Sequence, residues 1–164
     1  MIGENLKLHE VKGFLDSLGE ERQLANFDFE LVKKAEFIAG ERIGKEIAGI
    51  IGIWKTYRFF PTLFIVVKKE YQGKGVGDRL MKKEIEYARG VHSFLTLSTF
   101  NNGNYDAAIH LYKKWGFESF SRSGSKIWMC TPFDSKGKTI CISLPFIFFT
   151  IRFFLQIISR IKRN

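Results

Sequence analysis

Residues Gln72-Gly73-Lys74-Gly75-Val76-Gly77 are the stretch whose types and spacing best suit chemistry. Three glycines at alternate positions leave backbone amides uncovered and permit backbone angles that other residues avoid. A helical pattern, Asp78 to Ala88, follows directly. Its free N–H groups and the positive end of its dipole therefore point into the loop. Such an arrangement receives a phosphate-bearing ligand. The spacing is not the nucleotide loop Gly-x-x-x-x-Gly-Lys-Ser/Thr, because no Gly-Lys-Ser/Thr follows at the required distance. Nor is it Gly-x-Gly-x-x-Gly, because Gly73, Gly75 and Gly77 are evenly spaced by two. On these residues alone the stretch is either an anion cradle or a glycine-rich strand-to-helix turn.

The elements that must position this loop are legible around it. Thr62-Leu63-Phe64-Ile65-Val66-Val67 is short, β-branched and aromatic, and reads as a buried strand. The polar turn Lys68-Lys69-Glu70-Tyr71 joins it to the loop. Val76, Leu80, Met81, Ile85 and Ala88 form the apolar stripe of the following helix, leaving Arg79, Lys82, Lys83 and Glu86 on the other face. Lys74 and Arg79 flank the loop as candidates for phosphate contact, whereas Lys83 and Glu86 read as a solvated face. About thirty residues downstream, Ala108, Leu111, Tyr112 and Trp115 fall on one helical face. Asp106 is placed to cap that helix and Gly116 to stop it.

Gln72-x-x-Gly75-x-Gly77, behind a strand and ahead of a helix, resembles the pyrophosphate loop of the GNAT N-acetyltransferases, whose pattern is Arg/Gln-x-x-Gly-x-Gly/Ala. Ala107-Ala108-Ile109-His110-Leu111-Tyr112-Lys113-Lys114-Trp115-Gly116-Phe117 resembles the second signature of the same family. The two patterns stand in the family's order, and the resemblance covers roughly Phe37 to Pro132. It implies an α/β (α+β) domain: a mixed, mostly antiparallel central sheet with helices on both faces. It also implies that the Thr62–Val67 and Phe94–Thr99 strands splay apart to admit the pantetheine arm of acetyl-CoA. Ile65, Val66, Val67, Gln72, Gly73, Lys74, Gly75, Val76, Gly77 and Asp78 are then the cofactor-binding residues, with a backbone N–H near Val67 polarising the thioester carbonyl.

The same resemblance gives Tyr112 the role of proton donor to the leaving thiolate; by helix periodicity alone it is a core aromatic. Two departures stand out. Many relatives place a glutamate on the strand before the second signature, where this chain reads Leu97-Ser98-Thr99-Phe100. Glu46, on the preceding hairpin, is taken as the base instead, with Glu41 and Glu70 as alternatives. Tyr105 stands where relatives resembling ribosomal-protein acetyltransferases have a cofactor-contacting asparagine, and Asn104, or Asn102, is expected to substitute. The implied activity is transfer of an acetyl group from acetyl-CoA to a primary amine: a protein N-terminus, a lysine or a small amine. A noncatalytic acyl-CoA sensor is the alternative. No metal is called for.

The rest of the chain reads less specifically. Leu6 to Val11 alternates weakly, as a first strand would, and Gly13 to Asn26 carries one or two surface helices. A hairpin turns at Arg42–Lys45, and its second strand holds Gly49 and Gly52, which mark bulges, close ligand approach or packing under a helix. Tyr57 to Pro61 turns into the central strand, and Glu118–Ser121 and Lys126–Thr131 are the last sheet pieces. Cys130 and Cys141, the only cysteines, have no metal-like spacing and point to a reducing, cytoplasmic setting without a disulfide framework. Met1 to Asn5 lacks the basic start and apolar core of a signal peptide.

The organisation expected is a 1–133 transferase domain and a 134–164 tail, joined by a polar link over 133–138. The net charge is +9, and residues 133–164 supply six Lys/Arg against one acid, Asp134. The excess charge thus sits in the tail and not in a broad nucleic-acid stripe. Residues 139–161 include 15 Ile, Leu, Phe or Cys among 23, with Arg152, Gln156, Ser159, Arg160 and Arg163 on one narrow helical face. Three readings stay open: a membrane span, which Arg152 opposes, a helix lying on a membrane surface, or a cover over a patch of this domain or of a second copy.

Overall fold

Ile47, Ile50, Ile51 and Ile53 are all buried, because strand β2 (Glu46–Thr56) is covered on both faces. It lies between β1 (Phe37–Ile43) and β3 (Phe60–Val67), antiparallel to each. The computed structural model describes residues 6–19, 29–56, 60–101, 103 and 105–161, and of 31, 55, 56, 148, 149 and 151–161 the backbone alone. The expected helices beyond residue 19, residues 57–59 of the turn expected over Tyr57 to Pro61, and the two loop asparagines, Asn102 and Asn104, lie outside the described residues, whereas Phe60 and Pro61 already belong to β3.

Helix α1 (Leu8–Ser17) precedes a short α2 (Phe29–Lys33). After β3 come a single 3-10 turn (Lys69–Tyr71), α3 (Val76–Val91), β4 (Phe94–Phe100) and α4 (Asp106–Lys114). The hairpin β5 (Glu118–Ser123) and β6 (Lys126–Pro132) follows, then α5 (Ser135–Ile161). The six strands form one sheet in the order β1-β2-β3-β4-β6-β5. Every neighbouring pair is antiparallel except β3 with β4. The mixed sheet with helices on both faces is therefore as expected.

Alternation along the strands sorts the core into two faces. Ala39, Ile51, Ile53, Leu63, Leu95, Leu97 and Met129 point to the side covered by α3 and α4. Ile38, Ile50 and Phe64 point to the side covered by α1 and α2, and Phe94 and Cys130 meet α5 through Leu144. Gly49 and Gly52 serve this packing. A Cβ on Gly49 would come within 3.0 Å of Leu80 on α3, and one on Gly52 would strike the Phe64 ring. Gly49 also borders a register shift opposite Glu41 and Arg42, so the bulge and the packing readings both apply to it.

Three expectations need correction. Leu6 to Val11 is not a strand: Val11, Phe14 and Leu15 sit at i, i+3 and i+4 and are buried together, so the 3.6-residue period governs. The polar link over 133–138 is mostly helix. Asp134 Oδ1 accepts the Gly137 N–H at 2.6 Å as an N-cap, and Gly137 lies so close to the Ser93 carbonyl that a Cβ would overlap it. Finally, Cys130 and Cys141 are joined in a disulfide across a Cα separation of 6.0 Å. Eleven residues of sequence separate them, and only the return of α5 onto β6 makes them neighbours. Among the described residues, no helix is long and apolar enough to cross a membrane.

Candidate active site

Strands β3 and β4 meet at one register position, Thr62 opposite Thr96. Two hydrogen bonds close this point: the threonine hydroxyls lie 3.2 Å apart, and Thr96 Oγ1 donates to the Pro61 carbonyl at 3.1 Å. Beyond it the ladder ends, although β3 runs on to Val67 and β4 to Phe100. Residues Ile65 to Val67 stay paired to β2 on one edge, with partners Ile51, Ile50 and Gly49. Among the described residues their other edge has no strand partner, which is the splay implied by the sequence resemblance.

The glycine loop opens directly after this free edge. Gln72 Nε2 donates to the Val67 carbonyl at 3.1 Å and so folds the loop back on the end of β3. Gly73 and Gly75 take left-handed φ values of +72° and +73°, which explains glycine at both. Gly75 is the N-cap of α3, and among the described residues no side chain caps the helix. The third glycine has another reason. Gly77 is within the helix, and a Cβ there would lie 2.9 Å from Leu111 Cδ2 on α4. The spacing of two thus mixes two backbone needs with one packing need.

The two sequence signatures touch each other here. Trp115 Nε1 donates to Asp78 Oδ1 at 2.9 Å, and Lys114 pairs with the other carboxylate oxygen. Hydrogen bonds from Lys114 and then Trp115 hold the Asp78 carboxyl below its usual range. Its side chain is thereby committed to α4, and only its backbone N–H is left to face a ligand. Lys74 Nζ lies 5.5 Å over the Tyr71 ring at the loop's rim. Arg79, a candidate for phosphate contact, instead pairs with Glu41 at 2.6 Å. Lys83 is not merely a solvated side chain, since it donates to the Gly40 carbonyl and to Glu41, both at 2.7 Å. Nothing in the local pattern of α3 marks Glu41, 38 residues from Arg79, as the partner of both cations.

Tyr112 lies in the buried cluster against which Ile65 and Val67 pack. A Schellman motif fixes its position at the end of α4. Phe117 N–H bonds the Tyr112 carbonyl at 3.0 Å and Gly116 N–H that of Lys113 at 3.0 Å, with Gly116 at φ +83°. The rings of Tyr112 and Phe117 meet edge-on at 6.2 Å. Burial pushes the Tyr112 hydroxyl up to about 12, so it stays protonated at neutral pH. The opposite end differs from expectation: Tyr105 is the N-cap residue and Asp106 the first residue of α4, with no side-chain cap.

Glu46 is poorly placed to act as a base. Lys68 and Tyr71 both donate to its carboxylate, and these bonds, Lys68 first, hold the carboxyl below its usual range. A carboxylate kept ionised by a lysine is a weak proton acceptor.

Comparison with known proteins bears on this geometry. The acetyltransferase (GNAT) domain family matches residues 33–119. The chain belongs to this family. It is 35% identical over 98 residues to the N-alpha-acetyltransferase RimI of Mycobacterium tuberculosis, across 57% of this chain and 60% of that protein. The chain thus spans about three fifths of the length of that relative. A Pyrococcus horikoshii OT3 protein of known crystal structure superimposes with a TM-score of 0.62 at 25% identity, covering 80% of this chain and 97% of that one. A putative streptothricin acetyltransferase from Bacillus anthracis, solved in complex with acetyl coenzyme A, shares the fold with a TM-score of 0.54 at 24% identity, over 66% of this chain and 71% of that one. In GNAT terms the matched segment spans β1 to the start of β5, so it holds the parted strands, the uncapped helix start and Tyr112. The disulfide and all of α5 lie beyond it.

Proposed function

We propose that this chain transfers an acetyl group from acetyl-CoA to a primary amine by direct attack in a ternary complex. One observation carries the proposal: the unpaired edge of β3 ends at a helix start whose amides have no side-chain cap. The diphosphate of coenzyme A would sit on the backbone N–H groups of Gln72 to Gly77 and Asp78, drawn by the α3 dipole. The pantetheine arm would then lie along Ile65, Val66 and Val67, replacing the missing strand. A backbone donor of that edge aimed at the thioester oxygen stabilises the charge that builds as the amine attacks. Holding amine and thioester together supplies a second large term.

Collapse of the tetrahedral adduct breaks the C–S bond and leaves a thiolate, to which Tyr112 gives its proton. Raised to about 12, the hydroxyl is fully loaded but a weak acid. The transfer must therefore accompany C–S cleavage and cannot precede it. The amine's own proton leaves through solvent in this reading, since Lys68 and Tyr71 hold the Glu46 carboxylate. Asn104 keeps a proposed role as a cofactor contact on the sequence resemblance alone. Because one relative is an N-alpha-acetyltransferase, a free protein N-terminus is the first acceptor to try, ahead of lysine side chains and small amines. Pairing into homodimers and a membrane surface over 139–161 are the further partners proposed.

A thiol-release assay with acetyl-CoA against peptides with free N-termini, lysine peptides and small amines tests this reading. Tyr112→Phe is expected to lower kcat by about a hundredfold while leaving coenzyme A affinity unchanged. Saturable acetyl-CoA binding without thiol release from any amine would turn the assignment toward the noncatalytic sensor. The absence of a carboxylate on β4 favours that second reading.

A further inference from the structure

Helix α5 has an inner and an outer side that are both apolar. Inside, Leu144 is buried with Phe94 and Cys130, and Ile140 and Cys141 pack against the same cluster. The Cys130–Cys141 disulfide and the Asp134 cap fix the helix in this rotation. Outside, Ile142 is 63% exposed, Phe146 74% and Ile147 38%. Lys138, Ile142 and Phe146 recur every four residues, so they form one row along the helix surface. Pro145 follows the docked Leu144 and removes a backbone hydrogen bond there, separating a docked first part from the residues beyond it. Those residues continue the apolar composition and add Arg152, Arg160, Lys162 and Arg163.

We infer that this outer side of α5 is a docking surface for an anionic lipid bilayer. An apolar row that begins at a lysine and contains an exposed phenylalanine, in a segment rich in lysine and arginine by sequence, has the composition of a helix that lies in the lipid interface. Charge selects the bilayer over a second copy. Residues 133–164 hold six Lys/Arg against the single acid Asp134, and that carboxylate is engaged in capping. Two such tails side by side would repel, whereas an anionic leaflet attracts each basic residue near its surface. The placement leaves the candidate active site open. The buried contacts of α5 are at the start of β4, through Phe94, while the glycine loop follows the far end of β3. Because β3 and β4 are parallel, these are opposite ends of the sheet.

Cosedimentation of the full-length chain with vesicles tests this. Phosphatidylcholine vesicles containing about 30% phosphatidylserine are compared with pure phosphatidylcholine at low and at physiological salt. The expected result is at least about tenfold tighter binding to the anionic vesicles, weakening with salt. Phe146→Ser and Ile142→Ser should each reduce binding by about fivefold to tenfold, at unchanged far-ultraviolet circular dichroism and melting temperature. Lys45→Glu, a charge reversal on the distant β1–β2 turn, should leave binding within about twofold. Equal binding to both vesicle types, or binding to neither, overturns the inference. So does a concentration-dependent dimer in light scattering that Phe146→Ser dissolves while wild type ignores vesicles, because the occupant would then be a second copy. Thiol release on soluble amines is read separately, so failure here leaves the proposed transfer untouched.

Discussion

Helices α3 and α5 both begin beside glycines, yet their first turns have opposite fates. At α3, Gly73 and Gly75 adopt left-handed angles, a Cβ at Gly73 would meet nothing within 4 Å, and no side chain caps the helix. At α5, the Asp134 carboxylate occupies the same kind of position and Gly137 is pressed onto the Ser93 carbonyl. Both starts carry free amides and a positive dipole end. One has been filled by the protein's own anion, and the other is the start proposed above to receive the coenzyme A diphosphate. A glycine near a helix start is therefore not a sign of ligand binding in itself. What distinguishes the two is whether a carboxylate of the chain reaches the amides first.

Making α3 resemble α5 should give the largest effect. Gly75→Asp brings a carboxylate to the uncapped turn and strains a backbone at φ +73°. Coenzyme A affinity measured by calorimetry should fall by at least about a hundredfold. A change under about threefold would mean that the phosphates bind elsewhere. The converse change, removing the tight fit at α5, acts on stability and not on binding. Gly137→Ala should cost about 2 kcal/mol in denaturant unfolding, because its methyl group overlaps the Ser93 carbonyl. Coenzyme A affinity should be unmoved; a matching loss of affinity would show that the two helix starts are not independent.

The body of α3 sharpens the contrast between anions that are answered and anions that are not. Glu84 is fully buried with neither carboxylate oxygen partnered among the described residues, and burial, then the charge of Glu36, pushes it up to about 9. Between its ordinary 4.5 and this value the folded state holds a proton that the unfolded state has lost. Its contribution to stability therefore falls as pH rises through that window. Glu84→Met should stabilise the fold by about 1–2 kcal/mol at neutral pH, with a gain that grows toward pH 9. A pH-independent gain would reject the buried-proton account. The smallest effect is expected at the α5 cap. The Gly137 amide, then Ser93, hold the Asp134 carboxyl below its ordinary range. Asp134→Ala should lower the melting temperature by a few degrees above the ordinary carboxylate range, and the difference should vanish as acid protonates the wild-type group.

The same comparison shows what could be read before folding. The β3–loop–α3 unit is local, and each of its parts depends on neighbours within a few residues: alternation for the strand, glycine angles for the loop, a 3.6-residue stripe for the helix. The end of α4 is local too, since Gly116 closes a Schellman motif within six residues. Arg79 is legible as a cation beside the loop but not as the partner of Glu41, and the same holds for Lys83. Glu84 interrupts an otherwise apolar stripe with a charge-bearing type, and only the packing of α3 on the sheet reveals it as buried. Glu46 looked available because neither Lys68 nor Tyr71 is near it in sequence.

The sequence by itself determined the order of the elements from β1 to β6, the glycine loop at the start of α3 and the place of Tyr112 on α4. These rest on backbone preferences and periodicities that act over one or two turns. Only the tertiary structure decided which charges are neutralised, where strands β3 and β4 part and which cysteines meet. Each of those depends on groups from 11 to 42 residues apart in sequence that are brought together by burial of the shared core.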